Sequence, residues 1–494
     1  MSRLGVKPFA KVSPPFALLV CGFLLSRLWF WIQGLTFNDS CLYWFYQYLD
    51  VDLLENDLFA SLWRLHAQPP LLNLLAGIGL KMTLPLGWWF WRIVYWGMGL
   101  AQTLLLFDTM KRLGVHAWLA VALVGAYMIS PGVLLFENWL FYPYPAATLL
   151  ILSTWLLVNS SENLPTRGLF VFFLVCSCLP LLRSLFHLVW LLGVIAILWF
   201  LRTKAWKRIL LTAALPLLLV TGWYAKNLIL FDTFSGSSWM GMNFARATVF
   251  RLPDHQREEW IEQGLLSKIS SVGPFSPVER YDSLIVLPDA TGFVCLDETR
   301  RGGSSPNYNN LSYIEISKEY ERDAWTVVRR KPLWWLEKTA QNLLIFFRPV
   351  QEFGLRSGNQ SSIEGWESVY DRWVNGQIRP SDINKAVDGR LPAVSMWLAL
   401  CYLWVLIYPM SLALGFYWIG TGRGRERLAK NALVIAFIIF NIVYLMLIGN
   451  IFEYGENNRF RFMSDPLVLI LSSIALNNGF SRVKNRIGKN ESKG

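Results

Sequence analysis

The chain has 494 residues, of which 54% are hydrophobic and only 16% are charged, and its mean hydropathy is +0.35. Soluble domains carry about 25% charged residues, so this composition excludes an ordinary soluble protein and indicates a chain that crosses a membrane many times. The net charge of +12 comes mostly from short loops and the two ends. Such a distribution reflects membrane topology and anionic headgroups rather than nucleic-acid binding.

Ten apolar stretches predict an all-α polytopic membrane protein with about ten transmembrane helices, each needing about 20 residues. The first follows a basic segment without a small-residue cleavage pattern, which favours a spanning helix over a cleaved signal. The fifth and sixth are short and share Arg183 at their junction. The predicted spans are 14–35, 87–108, 115–136, 138–158, 167–182, 186–201, 208–230, 393–419, 430–451 and 460–480.

The loop charges predict the orientation. Ten spans place the Lys- and Arg-rich segments around residues 3–11, 111–112, 202–208, 423–430 and 482–493 on one side. Positive residues mark the cytoplasmic side, so both termini are predicted to be cytoplasmic. The expected location is a bacterial inner membrane or the endoplasmic reticulum, with the functional end extracytoplasmic.

Two apolar segments are predicted to lie in the interface rather than cross it. Counting residues 69–84 as a crossing would place Lys111 and Arg112 outside and break the charge pattern. The segment from Leu333 to Phe347 is amphipathic and rich in aromatic residues. Both are expected as surface helices.

Three regions follow from this topology. Residues 1–232 form an N-terminal transmembrane module with an acidic first outer loop, and residues 393–494 form the C-terminal helices and a basic tail. Between them, residues 233–392 form one large extracytoplasmic loop, whose Gly, Ser, Pro and Asn content predicts an irregular structure. Cys41 and Cys295 both face outward in this scheme, and their pairing is an open alternative.

Acidic and imidazole side chains near the outer helix ends are candidates for chemistry. Asp39 follows the first span and is either a general base or a solvated or helix-capping acid. Glu137 occupies a very short turn between the third and fourth spans, where it either pairs with a cation or belongs to a site. His66 is more typical of a structural hydrogen-bonding residue. Arg27, inside the first span, pairs, snorkels or lines a site.

Several cations also map to the outer edge. Each alone is typical of a headgroup anchor, but loop orientation does not select positive charge on this side. Together they favour an anionic ligand, because Arg binds phosphate bidentately and Lys acts as a point charge. These residues are Arg183, Lys226, Arg348, Arg459 and Arg461.

Short motifs occur along the chain in a characteristic order. They are Phe37-Asn38-Asp39-Ser40, His66-x-Gln68-Pro69-Pro70-Leu71, Arg92, Glu137, Gly222-Trp223-Tyr224-Ala225-Lys226-Asn227 with Phe231, and Glu456-x-x-Arg459-x-Arg461 with Pro466. This order resembles the membrane glycosyltransferases with the C-type (GT-C) fold, especially the protein mannosyltransferase and aminoarabinose transferase group. The resemblance covers roughly residues 14–232 and, weakly, 450–480.

The chain also departs from that group. Asn38 and Ser40 flank Asp39 where a paired acid is frequent, which leaves the use of a divalent metal open. Lys226 stands where Arg is usual, and Asp232 where Gly is usual.

The resemblance implies an inverting transfer of a sugar from a polyprenyl-phosphate donor to an acceptor hydroxyl. Asp39 and Glu137 would be the catalytic residues, Asp39 as the general base and Glu137 positioning acceptor or donor. The phosphate would be bound by Arg183, Lys226, Arg459 and Arg461. The resemblance leaves the acceptor unidentified and implies membrane lipid as the other partner. Further site candidates are His66, Gln68, Arg92 and Glu456.

Two other functions remain open on the sequence. A transporter or flippase of a lipid-linked or anionic substrate usually shows repeated halves and polar residues near the midplane, whereas here no repeat is found and the polar residues gather at one rim. A ligase or polymerase of lipid-diphosphate glycans also has a large outer loop. The acidic first loop favours the monophosphate donor.

Overall fold

The computed structural model describes residues 13–86, 89–161, 163–302, 305–350, 358–376, 401–420 and 425–491. Within these ranges the chain is helical, and its only extended pairings are two isolated bridges, Asn38 with Trp139 and Arg300 with Pro306. The helices are α1 (Pro14–Ile32), α2 (Cys41–Trp44), α3 (Val51–Asn56), α4 (Leu58–Trp63), α5 (Pro70–Leu86), α6 (Trp89–Arg112), α7 (Ala117–Met128), α8 (Pro131–Glu137), α9 (Pro143–Ser160), α10 (Thr166–Leu182), α11 (Leu188–Leu201), α12 (Trp206–Phe231), α13 (Met240–Ala247), α14 (Asp254–Glu262), α15 (Val294–Asp297), α16 (Ser312–Arg330), α17 (Pro332–Phe346), α18 (Gly358–Tyr370), α19 (Tyr402–Gly420), α20 (Arg425–Ile451) and α21 (Asn458–Glu491).

Five helical segments among the described residues are long and apolar enough to cross a membrane, so the chain is an all-helical integral membrane protein. A sixth crossing is obtained if α7 and α8 are counted as one bent span. The remaining predicted crossings, and hence the number ten, stay a prediction. The five segments are Pro14–Ile32, Thr203–Phe231, Tyr402–Gly420, Asn431–Ile451 and Asn458–Phe480.

The bundle has central and peripheral helices. In the most apolar segment of α21, 72% of the residues are buried inside the protein, whereas the buried share is 28% in α1 and 17% in α19. Helix α9 packs against α6, α10 and α21. The surfaces that α1 and α19 leave uncovered are apolar, as expected for lipid-facing helices.

The third predicted span, 115–136, is not one straight helix. Helix α7 ends at Met128 and α8 starts at Pro131, with a bend of 58° between them. Pro131 has no backbone N–H to continue the ladder, and the Ser130 hydroxyl caps the new helix by accepting from the Val133 amide at 3.3 Å. The break sets Glu137 at the end of a short helix beside α1.

The large loop is more regular than predicted. Its described part contains α13 to α18, and α16 is 19 residues long. Helix α16 packs closely on α13, since a Cβ on Gly241 would lie 1.8 Å from the Ser317 carbonyl oxygen. The buried residues of α16 repeat at helical spacing, and they are Tyr313, Ile316, Tyr320, Ala324 and Val327. This spacing is visible in the sequence and indicates a helix, whereas the Gly, Ser, Pro and Asn content of the loop favours an irregular structure.

Both predicted surface segments are helical. Helix α5 begins at Pro70, and α17 covers residues 332–346 with Leu333 and Leu336 exposed. Their position in the interface stays a prediction. The start of the predicted eighth span, residues 393–400, lies outside the described residues.

Cys41 and Cys295 do not pair, and no disulfide joins any of the described cysteines. The Cys41 thiol donates to the Leu140 carbonyl at 3.2 Å, whereas Cys295 packs in a separate cluster with Phe231 and Ile314. The outward-facing pair that the sequence left open is therefore not a disulfide.

Candidate functional site

The loop that carries Asp39 is docked on the turn that follows α8. The Asn38 amide donates to the Asn138 carbonyl at 2.8 Å, and the Leu140 amide donates to the Asn38 carbonyl at 3.0 Å. Farther along the loop, the Tyr48 hydroxyl also donates to the Leu140 carbonyl at 2.6 Å. These bonds fix the backbone on the N-terminal side of Asp39.

The carboxylate of Asp39 is half-buried and has no ion pair or hydrogen bond to another described residue. Burial raises its pKa above the ordinary value, because a low-dielectric environment disfavours the charged form. Asp39 is not the helix cap that the sequence left open. Helix α2 has no side-chain cap, and the Asn38 side chain accepts from the Ser40 amide at 3.0 Å in the turn before it.

Glu137 is fully buried and ion-paired with Arg27. The Arg27 Nε donates to Oε1 at 2.9 Å and Nη2 to Oε2 at 2.5 Å, while the Tyr144 hydroxyl donates to Oε2 at 2.7 Å. Arg27 also donates to the Met128 carbonyl at 2.8 Å. With both oxygens engaged, Glu137 does not present a free carboxylate to a substrate. Its contacts are those of an ion-pair partner that holds α8 against α1, and its role in catalysis stays a prediction.

His66 and Lys226 join the first loop to the large loop and to α12, respectively. The His66 Nε2–H donates to the Asn309 carbonyl at 2.9 Å, so its Nδ1 accepts from the Ser238 hydroxyl at 2.8 Å. Burial lowers the pKa of His66 to about 3, so the ring stays neutral. The Lys226 ammonium donates to the Leu65 carbonyl at 2.7 Å. These three contacts join segments of the fold, and phosphate binding by Lys226 stays a prediction.

The guanidinium groups of Arg92 and Arg461 each contact a different set of side chains. The Arg92 guanidinium packs among Trp31, Trp89 and Trp96, 5.3–5.7 Å from their ring centres. The Arg461 Nε lies 3.5 Å from Asp465 Oδ1. Residues two apart on a helix point to different faces, so Arg461 turns away from Arg459, and phosphate binding by Arg461 stays a prediction.

Arg459 belongs to a four-residue ionic cluster at the junction of α20 and α21, the Arg459 cluster (Arg246, Glu453, Glu456 and Arg459). Its Nη2 lies 3.0 Å from Glu453 Oε2, and its Nη1 lies 2.6 Å from Glu456 Oε2. Arg246 of α13 reaches Glu453 Oε1 at 3.4 Å. Two cations therefore balance two acids.

Burial, followed by the charge of Glu456 in this cluster, raises the pKa of Tyr46 in the first loop. No contact joins Asp39 itself to Arg183 or Arg459 among the described residues.

Arg183 follows α10 and is only 6% exposed. Its Nη1 donates to the Gln68 Oε1 at 2.6 Å, and within the described part of the chain it forms no ion pair. A buried charge is normally paired. The Gln68 amide oxygen does not neutralise this one.

A cavity of about 340 Å³, the Arg183 cavity, opens beside this guanidinium. Besides Arg183, the polar residues that line it are Ser184, His187, Ser235, Ser237, Asn243, Tyr444 and Glu453 of the Arg459 cluster. The apolar lining residues are Leu185, Val189, Met240, Ile448, Phe452 and Phe460. The arrangement suits an amphiphile with an anionic head.

Tyr142 links Arg183 to the Arg459 cluster. The Arg183 guanidinium lies 4.7 Å from the centre of the Tyr142 ring and the Arg459 guanidinium 5.9 Å from it. The sequence indicated neither Tyr142 nor Arg246, because an aromatic residue at a helix start is typical of the membrane interface and Arg246 meets its acids only through the folding of α13 onto the bundle.

No three His, Cys, Asp or Glu side chains converge as a metal site in the part of the chain that the structure describes. No family model matches the chain, and no curated protein or solved structure matches it.

Proposed function

We propose that this protein is an inverting glycosyltransferase that moves a sugar from a polyprenyl-phosphate donor to an acceptor hydroxyl. One observation carries the proposal: Arg183 is a buried guanidinium without a counter-ion, and it lines an apolar-walled cavity in a membrane protein. A lipid phosphate supplies the missing negative charge at Arg183. Its isoprenoid chain matches the apolar walls.

The phosphate is the leaving group of the proposed reaction. As the bond between the anomeric carbon and the phosphate oxygen breaks, negative charge grows on the phosphate. Arg183 stabilises this charge, and Arg459 adds positive potential from the other side of Tyr142. Preorganised positive groups at a developing charge lower the barrier.

Asp39 is the general base. The acceptor oxygen attacks the anomeric carbon from the face opposite the phosphate, and its proton passes to the Asp39 carboxylate. The free carboxylate oxygens and the raised pKa of Asp39 suit this role, since a base works best when its pKa approaches the working pH. The mechanism requires the donor sugar to extend from the Arg183 cavity to Asp39.

Glu137 and Arg27 support this base as positioning residues. Their ion pair holds the end of α8, and the residues after α8 hold Asn38 through backbone hydrogen bonds.

The end of the bundle that carries the site is extracytoplasmic in this proposal, because the Lys- and Arg-rich loops after α6 and α11 lie at the opposite helix ends and such loops mark the cytoplasmic side.

The proposal is tested with the full chain in lipid nanodiscs, a panel of polyprenyl-phosphate sugars and a detergent extract of membranes as the acceptor source. Release of lipid phosphate is the readout. Asp39→Asn is expected to slow release by roughly 10²–10⁴-fold with donor binding retained. The matched control is Asp232→Asn, an acid with a 93% exposed side chain, which is expected to leave the rate unchanged.

Two results would contradict the proposal. The first is release at the wild-type rate by Asp39→Asn. The second is no release with any donor together with vectorial uptake of a lipid-linked or anionic solute into liposomes, which would favour the transporter.

A further inference from the structure

His187 lies in the turn between α10 and α11, four positions after Arg183 in the sequence. Both residues line the Arg183 cavity. The Phe186 amide donates to the Arg183 carbonyl at 3.0 Å, and a bond of this kind reverses the direction of the chain within four residues. An anion that neutralises Arg183 from within the cavity therefore also lies next to the wall that His187 forms.

A hydrogen bond at the start of α11 fixes the tautomer of His187. The residue is the N-cap of this helix, and its Nδ1 accepts from the Val189 amide at 3.3 Å. In a neutral imidazole one nitrogen accepts and the other carries the hydrogen, so the hydrogen of His187 is on Nε2. Protonation of Nδ1 would remove the cap. His187 is therefore a neutral N–H donor rather than a second cation.

The Nε2–H group of His187 has no hydrogen-bond partner among the described residues. His66 shows the contrast, because both of its ring nitrogens are engaged, by the Ser238 hydroxyl and the Asn309 carbonyl. The His187 side chain is half-buried, and its Nε2 is not one of the enclosed polar atoms that lack a partner. An accessible donor is thus left unused on a residue that lines the cavity.

Packing holds the imidazole of His187 in place. The Tyr224 ring meets it edge to face, with the ring centres 5.2 Å apart. The Tyr444 hydroxyl accepts from the His187 amide at 3.3 Å and donates to the Leu185 carbonyl at 2.8 Å, which fixes the backbone of the turn. A donor that is already ordered loses little freedom when a ligand binds.

Three other polar residues of the cavity are already engaged. The Ser235 hydroxyl donates to the Ser237 carbonyl at 2.7 Å, and the Ser237 hydroxyl donates to another backbone carbonyl at 2.5 Å. Glu453 is ion-paired with Arg459 at 3.0 Å. A guanidinium binds two oxygens of a phosphate, which has further acceptor oxygens. A phosphate at Arg183 therefore needs a further donor, and the imidazole N–H is available.

We propose that the Nε2–H group of His187 donates a hydrogen bond to the phosphate that Arg183 binds, as a second ligand of that anion. The identification of this phosphate as that of a lipid monoester rests on the proposed function, whereas the contact itself requires only a phosphate at Arg183. Arg183 supplies the charge that attracts the anion. His187 supplies a directed hydrogen bond without adding charge.

The test uses two substitutions that separate the two ring nitrogens of His187. His187→Asn keeps an acceptor close to the position of Nδ1 and removes the donor at Nε2. His187→Gln places an amide N–H close to the position of Nε2 and removes the acceptor that caps α11. Both variants are made in the full chain in lipid nanodiscs. Equilibrium binding of polyprenyl phosphate without a sugar is measured together with the ligand-free thermal midpoint.

His187→Asn is expected to lose roughly 10- to 100-fold in affinity, the range for a hydrogen bond to a charged group, at the wild-type midpoint. His187→Gln is expected to lose less affinity but to unfold at a lower midpoint, because a helix cap is lost. The matched control is His116→Asn, which changes an exposed histidine at the start of α7 that forms no side-chain cap. It is expected to leave both affinity and midpoint unchanged.

Inorganic phosphate as competitor identifies the source of the anion. Weak competition is expected for a lipid ligand, whereas competition as strong as that of the lipid assigns the site to free phosphate. Either result supports the contact if His187→Asn loses affinity.

Three results would overturn the inference: wild-type affinity in His187→Asn, affinity losses that follow the fall in thermal midpoint in the two His187 variants, or no binding of either phosphate by the wild-type chain. Because binding is measured without transfer, the two proposals fail separately. Binding that depends on His187 in a protein without turnover refutes only the transferase. Turnover with binding that does not depend on His187 refutes only this inference.

Discussion

Two buried arginines near the same end of the bundle have opposite electrostatic surroundings. Arg27 meets a carboxylate in two hydrogen bonds, and the Tyr144 hydroxyl completes that group. The Arg183 guanidinium donates a hydrogen bond to one amide oxygen, and Arg183 also lines a cavity. The acids divide in the same way, because Glu137 is fully engaged and Asp39 has no partner among the described residues. A closed pair of charges stabilises the fold, whereas an open charge is available to a ligand.

The largest effect is expected at the closed pair. Glu137→Gln leaves the Arg27 charge buried without its counter-ion, and breaking a buried pair in this way costs about 3–5 kcal/mol of unfolding free energy. Equilibrium unfolding in mild detergent measures it. The double variant Arg27→Met with Glu137→Gln removes both charges and is expected to lose less than either single variant. A loss in the double variant equal to the sum of the two single losses would show that the pair is not coupled.

A smaller, ligand-dependent effect is expected at the open cation. Arg183→Gln is expected to unfold at the wild-type midpoint or above it without ligand, because no ion pair is broken. Polyprenyl phosphate at 100 times its Kd should stabilise the wild type by about 2.7 kcal/mol and the variant far less. A variant as unstable without ligand as Glu137→Gln would place Arg183 with the structural charges.

The smallest effect concerns the pH dependence at Asp39. The pKa of Asp39 is higher in the folded chain than its unfolded value of about 3.8. At pH values between these two pKa values, the folded chain keeps a proton on Asp39 that the unfolded chain has lost. The contribution of Asp39 to stability therefore falls across that window and is lowest above it. Asp39→Asn removes this dependence and is expected to be slightly more stable than the wild type at neutral pH. Unfolding midpoints at several pH values, with Asp232→Asn as control, measure the difference, and parallel curves for wild type and Asp39→Asn would contradict it.

The sequence predicted the local parts of this arrangement better than the pairings. The lengths of the apolar stretches predict most of the helices. The sequence also marks an acid in a very short turn at Glu137 and a charge inside the first span at Arg27 as unusual. Their partnership was not predictable, because it joins residues 110 positions apart and depends on the 58° break before α8. The same limit explains why Arg246 and Tyr142 were missed.

Helix ends also explain one departure from the resemblance. Asp232 ends α12 in the left-handed region at φ +49°, a conformation in which glycine is the least strained residue. The conformation of this helix end therefore explains why either Asp or Gly is accommodated at position 232.

The account depends most on Arg183 as a cation that takes a lipid phosphate. The direct measurement is equilibrium binding of polyprenyl phosphate to wild type, Arg183→Gln and Arg322→Gln in nanodiscs, the last changing an arginine with a 71% exposed side chain. We predict saturable binding by wild type and Arg322→Gln and a loss of at least about 10-fold in Arg183→Gln, the lower range for a charged hydrogen bond. Equal affinity in all three proteins would contradict the account.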